Sequence, residues 1–381
     1  MALQKLNRYK AYSAIIIADL VYAGRQLIFF TYKHQFMKQY FILLLIINFS
    51  IALPAQDKNE VPFLTKAFAN ELIKNVEAET SGGSITVMGV AAGQARVEVF
   101  VWPNKGRNNS MSKEEIQKRL DEDYRLTVSV ANNKLTTIAE PKNKIHNWKK
   151  ALSISFKIYV PGDVSTELTT SGGGIHLTDL TGNQHFTTSG GSLHADKLKG
   201  KIKGRTSGGS IHAKDCNDDI DLSTSGGSIE ADNCTGKIRL VTSGGSLHLN
   251  NLNGVIDATT SGGSVRGELI KGELEAHTSG GNIDLEKLYC SLVTSTSGGS
   301  IDVEIIELGK YVKISNSGGS IDVELPNKGL DLKVKGSKIK TNNLSNFSGS
   351  VEDEKLDGKL NGGGIPVTIT ANSGRVNLVL K

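Results

Sequence analysis

Apolar residues recur along most of this chain at a spacing of two, in short clusters that return every 18 residues. The anchor of each unit is Ser-Gly-Gly, first at Ser81, then at Ser171, Ser189, Ser207, Ser225, Ser243, Ser261, Ser279 and Ser297, with a last copy 20 residues on at Ser317. Counted from that serine, the fifth position is always aliphatic (Ile175, Leu193, Ile211, Ile229, Leu247, Val265, Ile283, Ile301, Ile321). The seventh is small or aliphatic, and the tenth reads Leu180, Leu198, Cys216, Cys234, Leu252, Ile270, Leu288 and Ile306. The fourteenth and sixteenth are mostly apolar, as in Ile220/Leu222 and Ile238/Leu240. A spacing of two is strand periodicity, and two glycines per unit weigh against helical repeats.

A fixed short period marks a stacked-repeat architecture. The expected fold is all-β: a parallel β-solenoid with coils of about 18 residues. Each coil is read as a strand, a turn near the twelfth residue (Gly182, Gly200, Gly236, Gly254, Gly272), and a second strand ending in Thr. Coils would lie about 4.8 Å apart. Equal positions would then form columns, and the threonines Thr170 to Thr296 would hydrogen-bond along theirs. A phosphate-cradling reading of the glycines fails, because no Lys and no helix follow at the required offset.

The pattern breaks at residues 90–164. Arg96 to Trp102 alternates as a strand, Ser112 and Glu115 form a capping box for a helix to about Asp123, and a hairpin turns at Asn132-Asn133. This segment, with Trp102 and Trp148, reads as a strand–helix–hairpin insertion covering the open end of the stack. The expected organisation is residues 56–89 as mature N-terminus and first coil, 165–334 as the regular solenoid, and 335–381 as closing strands. Gln56 to about Leu64 reads as a mobile terminus.

Met37, Lys38, the apolar run Phe41 to Phe49 and Ala52-Leu53-Pro54-Ala55 form a signal-peptide pattern over residues 37–55. The run is too short to span a membrane. Residues 1–36 read as an over-extension in front of it. This changes the meaning of the net charge of +5. From Gln56 onward 38 basic residues balance 38 acidic ones, so a nucleic-acid partner has no electrostatic warrant.

A Tyr159-Val160-Pro161 strand end, Thr-x-Ser-Gly-Gly-x-Ile coils and a terminal Ser373-to-Leu378 strand resemble those of a bacterial adhesin-like family of unknown function. The resemblance covers roughly residues 72–381 and implies an exported β-solenoid, with no activity established for the family as a whole; separately, the signal end at Ala55-Gln56 is similar to those of the Bacteroidetes. It carries over no functional residues.

Candidate chemistry is sparse. The sixth position holds His176, His194, His212 and His248, with Glu230 between the last two. Consecutive histidines one strand apart could take a transition metal or respond to pH. Farther on, Asp284/Glu286, Asp302/Glu304 and Asp322/Glu324 form two acidic columns that could attract Ca²⁺. Both sets read more simply as solvated outer faces. Cys216 and Cys234 fall in one column on adjacent coils, within disulfide range if in register, though two small core side chains is the plainer reading. Basic residues read as scattered over the coils. Aromatics beyond residue 164 are few (Phe186, Tyr289, Tyr311, Phe347), which disfavours an aromatic-lined sugar groove. No cofactor motif or catalytic constellation is found. The reading is a non-enzymatic envelope or surface scaffold with a cell-surface, glycan or envelope-protein partner, located in the periplasm, at the outer-membrane surface or outside the cell. The alternatives are a polysaccharide-active β-helix enzyme, and a regulatory module docking a membrane-associated partner through residues 90–164.

Overall fold

The computed structural model describes residues 61–104, 111–143, 151–342 and 344–381. The readings of residues 1–36 and 37–55, and Trp148, lie outside the described residues. The first strands are β1 (Leu64–Ala67), β2 (Asn75–Thr80), β3 (Ile85–Val90), β4 (Arg96–Pro103), β5 (Tyr124–Ala131), β6 (Lys134–Pro141) and β7 (Leu152–Pro161). They are followed by β8 (Ser165–Thr170), β9 (Ile175–Thr178), β10 (Thr181–Thr188), β11 (Leu193–Asp196), β12 (Lys199–Thr206), β13 (Ile211–Lys214) and β14 (Asn217–Thr224). The one helix among the described residues, α1 (Lys113–Asp123), is capped by Ser112, whose side chain accepts from the Glu115 amide.

From Ile175 to Thr260 each coil contributes a four-residue and an eight-residue strand, the two kinds stack in separate ladders, and in the later coils Ile283–Thr296 and Ile301–Asn316 run through both as single strands. In the short-strand ladder Ile211 pairs with Leu193 below and Ile229 above, all in parallel register. In the long-strand ladder Ile220 sits between Ile202 and Ile238. Side chains alternate along both, so positions five and seven of one ladder face fourteen and sixteen of the other across a thin core. Ile211, Ile229 and Leu247 are fully buried. The core fills by complementary volume. A side chain on Gly204 would strike the Phe186 ring below it and Leu222 above.

The sheet is mixed, not parallel throughout. Parallel pairing runs through the repeats, and antiparallel pairs lie at both ends: β1–β4, β4–β7 and β5–β6 at one, Leu330–Lys335 with Lys355–Leu360 and its hairpin neighbour Phe347–Val351 at the other. In residues 90–164, β6 pairs in parallel with β2, and β7 with β3, so these strands add a rung to both ladders. Residues 56–60 of the segment read as a mobile terminus lie outside the described residues, and β1, which begins at Leu64 where that segment ends, completes the edge of β4. At the far end Ile321 pairs with Val376, and Val312 with Val367. The last strands of the chain thus lie directly on the repeats, and Leu330–Leu360 packs outside them.

Three local expectations are corrected. The turn falls at the ninth position, where Asp179, Lys197, Asp215, Asn233, Asn251, Leu269 and Lys287 all have φ between +50° and +58°. The twelfth-position glycines lie inside the long strands, with φ from +102° to +140°. In the 20-residue coil a bulge shifts the chain by one, so Ile305 is the buried tenth-position residue (3% exposed) and Ile306 faces outward (44%). The threonine hydroxyls do not bond to one another. Thr224 Oγ1 donates to the Gly209 carbonyl of the Ser-Gly-Gly corner below (2.8 Å) and accepts from the Gly227 amide of the corner it leads into (3.3 Å). The same pair of bonds recurs from Thr188 to Thr296. At position 316 Asn replaces Thr, and its amide nitrogen reaches the Gly299 carbonyl while its oxygen accepts from Gly318 and Gly319.

Asp218 stands in the twelfth-position glycine column with φ of +88°, outside the left-handed region that Asp tolerates. Asp218→Gly is expected to stabilise the protein by about 1 kcal/mol, read as a higher denaturation midpoint. An unchanged or lower midpoint would contradict the strain assignment.

Candidate functional site

The outer face of the short-strand ladder carries the sequence-predicted residues. Register places His176, His194 and His212 side by side on β9, β11 and β13. Their rings stack with centroids 4.3 Å and 4.9 Å apart and planes within 5° and 11°. His212 Nδ1 lies 3.0 Å from Glu230 Oε2 on the next coil. Burial, and then the charges His176 and His212 would carry, push His194 from 6.5 down to about 4. Desolvation lowers His176 as well. Parallel rings direct their nitrogen lone pairs along parallel lines, and among the described residues no three His, Cys, Asp or Glu side chains converge as a metal site. Burial thus favours the neutral ring at His176 and His194 at pH 7.

The acidic columns occupy the same face farther along, with Asp284, Asp302 and Asp322 in register. Burial first, then Asp284, Asp322, Glu324 and Glu286, raise the Asp302 carboxyl above the usual carboxylate range. The end of the chain partly answers this charge. Lys381 Nζ reaches Glu304 (3.3 Å) and Glu324, and the Asn377 side-chain amide donates to Asp322 (3.2 Å). Between the histidines and the acids lies an open depression of about 260 Å³, lined by His248, Arg266, Glu268, Asp284 and Glu286. Gly267 lines it too, and Glu268 is engaged by Lys287.

Cys216 and Cys234 are buried and free, as is Cys290. Cys216 Sγ lies 3.4 Å from the Lys214 carbonyl and Cys234 Sγ 3.3 Å from that of Asp232, so both serve as small core side chains. The hydrogen bond with Cys216 and burial raise the Cys234 thiol, and burial pushes that of Cys290 up to about 12. In residues 90–164, Trp102 stacks on Phe100 with centroids 5.7 Å apart.

Sequence reasoning missed the basic row on the outer face of the long-strand ladder. Basic residues are not simply scattered there. β12 turns Lys199, Lys201, Lys203 and Arg205 to one side, with Ile202, Gly204 and Thr206 inward. The signal was visible as alternation along one strand, and it is invisible when columns are compared across coils.

Several solved structures resemble the chain, among them two from bacteria. One is named as a candidate cell adhesion protein from Clostridium sporogenes ATCC 15579, with 11% identity over 84% of this chain and 98% of that one and a TM-score of 0.20. The other is named as a candidate adhesin from Bacteroides fragilis NCTC 9343, with 14% identity, coverage of 84% and 96%, and a TM-score of 0.27. The structural neighbours carry adhesin names. Likeness at this level carries no argument about function. No family model matches the chain, and no curated protein does.

The histidine stack makes stability pH-dependent. Because His194 binds its proton less readily when folded, the unfolded chain takes up more protons in acid. Stability is full above about pH 6.5 and falls as the pH drops toward about 4. Denaturation midpoints at pH 7 and pH 5 should fall more for the wild type than for His194→Gln. Equal losses would remove the stack as the cause.

Proposed function

We propose that the chain is a non-enzymatic binding scaffold of the cell envelope or cell surface, exported by the segment at residues 37–55. The observation that carries this reading is the frame itself. Glycine, threonine and core residues fix the backbone of every coil, and the outward positions repeat in straight files one strand apart. Such files hold outward side chains at a fixed spacing on a stiff surface, which suits multivalent contact with an extended partner. The described residues hold no helix long and apolar enough to cross a membrane. The partner is a surface molecule, a glycan or an envelope protein. Purified protein is expected to bind saturably to immobilised cells or glycans. A complete absence of binding across such a screen would overturn the reading.

A second reading, a polysaccharide-active enzyme, draws on the depression where Arg266 meets Glu268, Asp284 and Glu286. Cleavage of acidic polysaccharides that disappears in Asp284→Asn would replace the first reading with this one.

A further inference from the structure

The outer row of β12 is a concentration of unanswered positive charge. Lys199, Lys201, Lys203 and Arg205 alternate along the strand. By strand geometry the row is about 20 Å long, with a charge every 6.6 Å or so. Among the described residues Lys199, Lys201 and Lys203 make no ion pair or side-chain hydrogen bond. Arg205 alone is partnered, 3.7 Å from Asp221.

The two neighbouring strands define what can lie there. On one side β10 presents Thr181, Asn183 and Thr187, which are neutral hydrogen-bonding groups, with His185 already held by Glu167 (3.0 Å). On the other side β14 presents Asp219 opposite Lys201 and Asp221 opposite Lys203. Asp221 is also bound by Arg239 (3.2 Å). The positive row is thus one strand wide, bordered by hydroxyl and amide groups and then by carboxylates. A broad anionic surface such as a bilayer would have to meet Asp219 and Glu167 as well. A single-stranded nucleic acid would want aromatic platforms, and no Phe, Tyr or Trp faces outward on β10, β12 or β14.

We infer that the β12 row binds one linear acidic polysaccharide, sulfated or uronate-bearing, laid along the strand. Its charges meet Lys199, Lys201 and Lys203, and its hydroxyls meet the polar groups of β10. Contact is by charge and hydrogen bonding, which needs no aromatic groove. The inference names a ligand class for the binding scaffold proposed above and rests on that reading. Its test in solution is separate: failure of polysaccharide binding leaves a scaffold with another partner, and failure of cell binding leaves the row intact.

The test uses the full-length protein against immobilised heparin and polygalacturonate, in a salt series. Vesicles with 30% anionic lipid and a single-stranded oligonucleotide form the other arms. At least one polysaccharide is expected to bind, with affinity falling steeply as salt rises. Lys199→Ser/Lys201→Ser/Lys203→Ser should weaken binding at least tenfold and flatten the salt dependence. The same charge change scattered over Lys113→Ser/Lys118→Ser/Lys328→Ser should leave it within twofold. Asp219→Ser, which removes the bordering carboxylate, should tighten binding severalfold, and this variant keeps the test decisive if the triple variant folds poorly. The inference is overturned if neither polysaccharide binds at low salt or if the β12 triple binds like wild type. Loss of affinity in Asp219→Ser, or equal or tighter β12-dependent binding of vesicles or oligonucleotide, overturns it too.

Discussion

The distance between coils is set where the third residue of one Ser-Gly-Gly corner lies over the third residue of the corner beneath. A β-carbon on Gly209 would sit 2.0 Å from the Gly191 carbonyl oxygen, and one on Gly227 would sit 2.1 Å from that of Gly209. No side chain fits there. The bare contact lets the threonine at the end of each coil reach the carbonyl below and take the amide of the corner it leads into, as Thr206 does with Gly191 and Gly209. Buried polar atoms are costly unless bonded, and this pair of bonds satisfies two backbone groups and a hydroxyl in each coil. The apolar columns supply most of the burial. The glycine–threonine contact decides the register in which they meet.

That division of labour leaves the outside free to vary. Outward positions need only be compatible with a strand, so one face holds a stack of imidazoles, then Arg266, then carboxylates, along a single file. On the other face charges alternate from strand to strand, basic on β12, acidic on β14, and basic again at Lys237 and Arg239. Arg239 lies between Asp221 and Asp257, 3.2 Å and 3.6 Å away. Exposed pairs of this kind add little stability each. Their arrangement mainly determines where the surface keeps an unmatched charge.

The core of the repeats was legible because register and period make the same statement. Ile211, Ile229 and Leu247 share a column in the sequence and a file in the structure. The histidine file was legible for the same reason. The corner at the ninth position was not, because Asp179, Lys197, Asn233 and Leu269 share a left-handed backbone and no side-chain chemistry. Nor was the bulge that turns Ile306 outward, since nothing in an Ile-Ile pair says which member is buried. The order of the last strands was hidden because Ile321 and Val376 are distant in sequence and adjacent only through pairing. The β12 row was overlooked because it repeats along a strand and not from coil to coil.

The central claim, that bare glycine contact sets the stacking, is tested most directly by comparing two neighbouring substitutions in one corner. A β-carbon on Gly208 would find only ordinary contacts at 3.6 Å and beyond, whereas one on Gly209 meets backbone at 2.0 Å. Denaturant unfolding of Gly208→Ala should stay near wild type, and Gly209→Ala should lose about 3 kcal/mol or more, or fail to fold. Equal stability of the two variants would contradict the account.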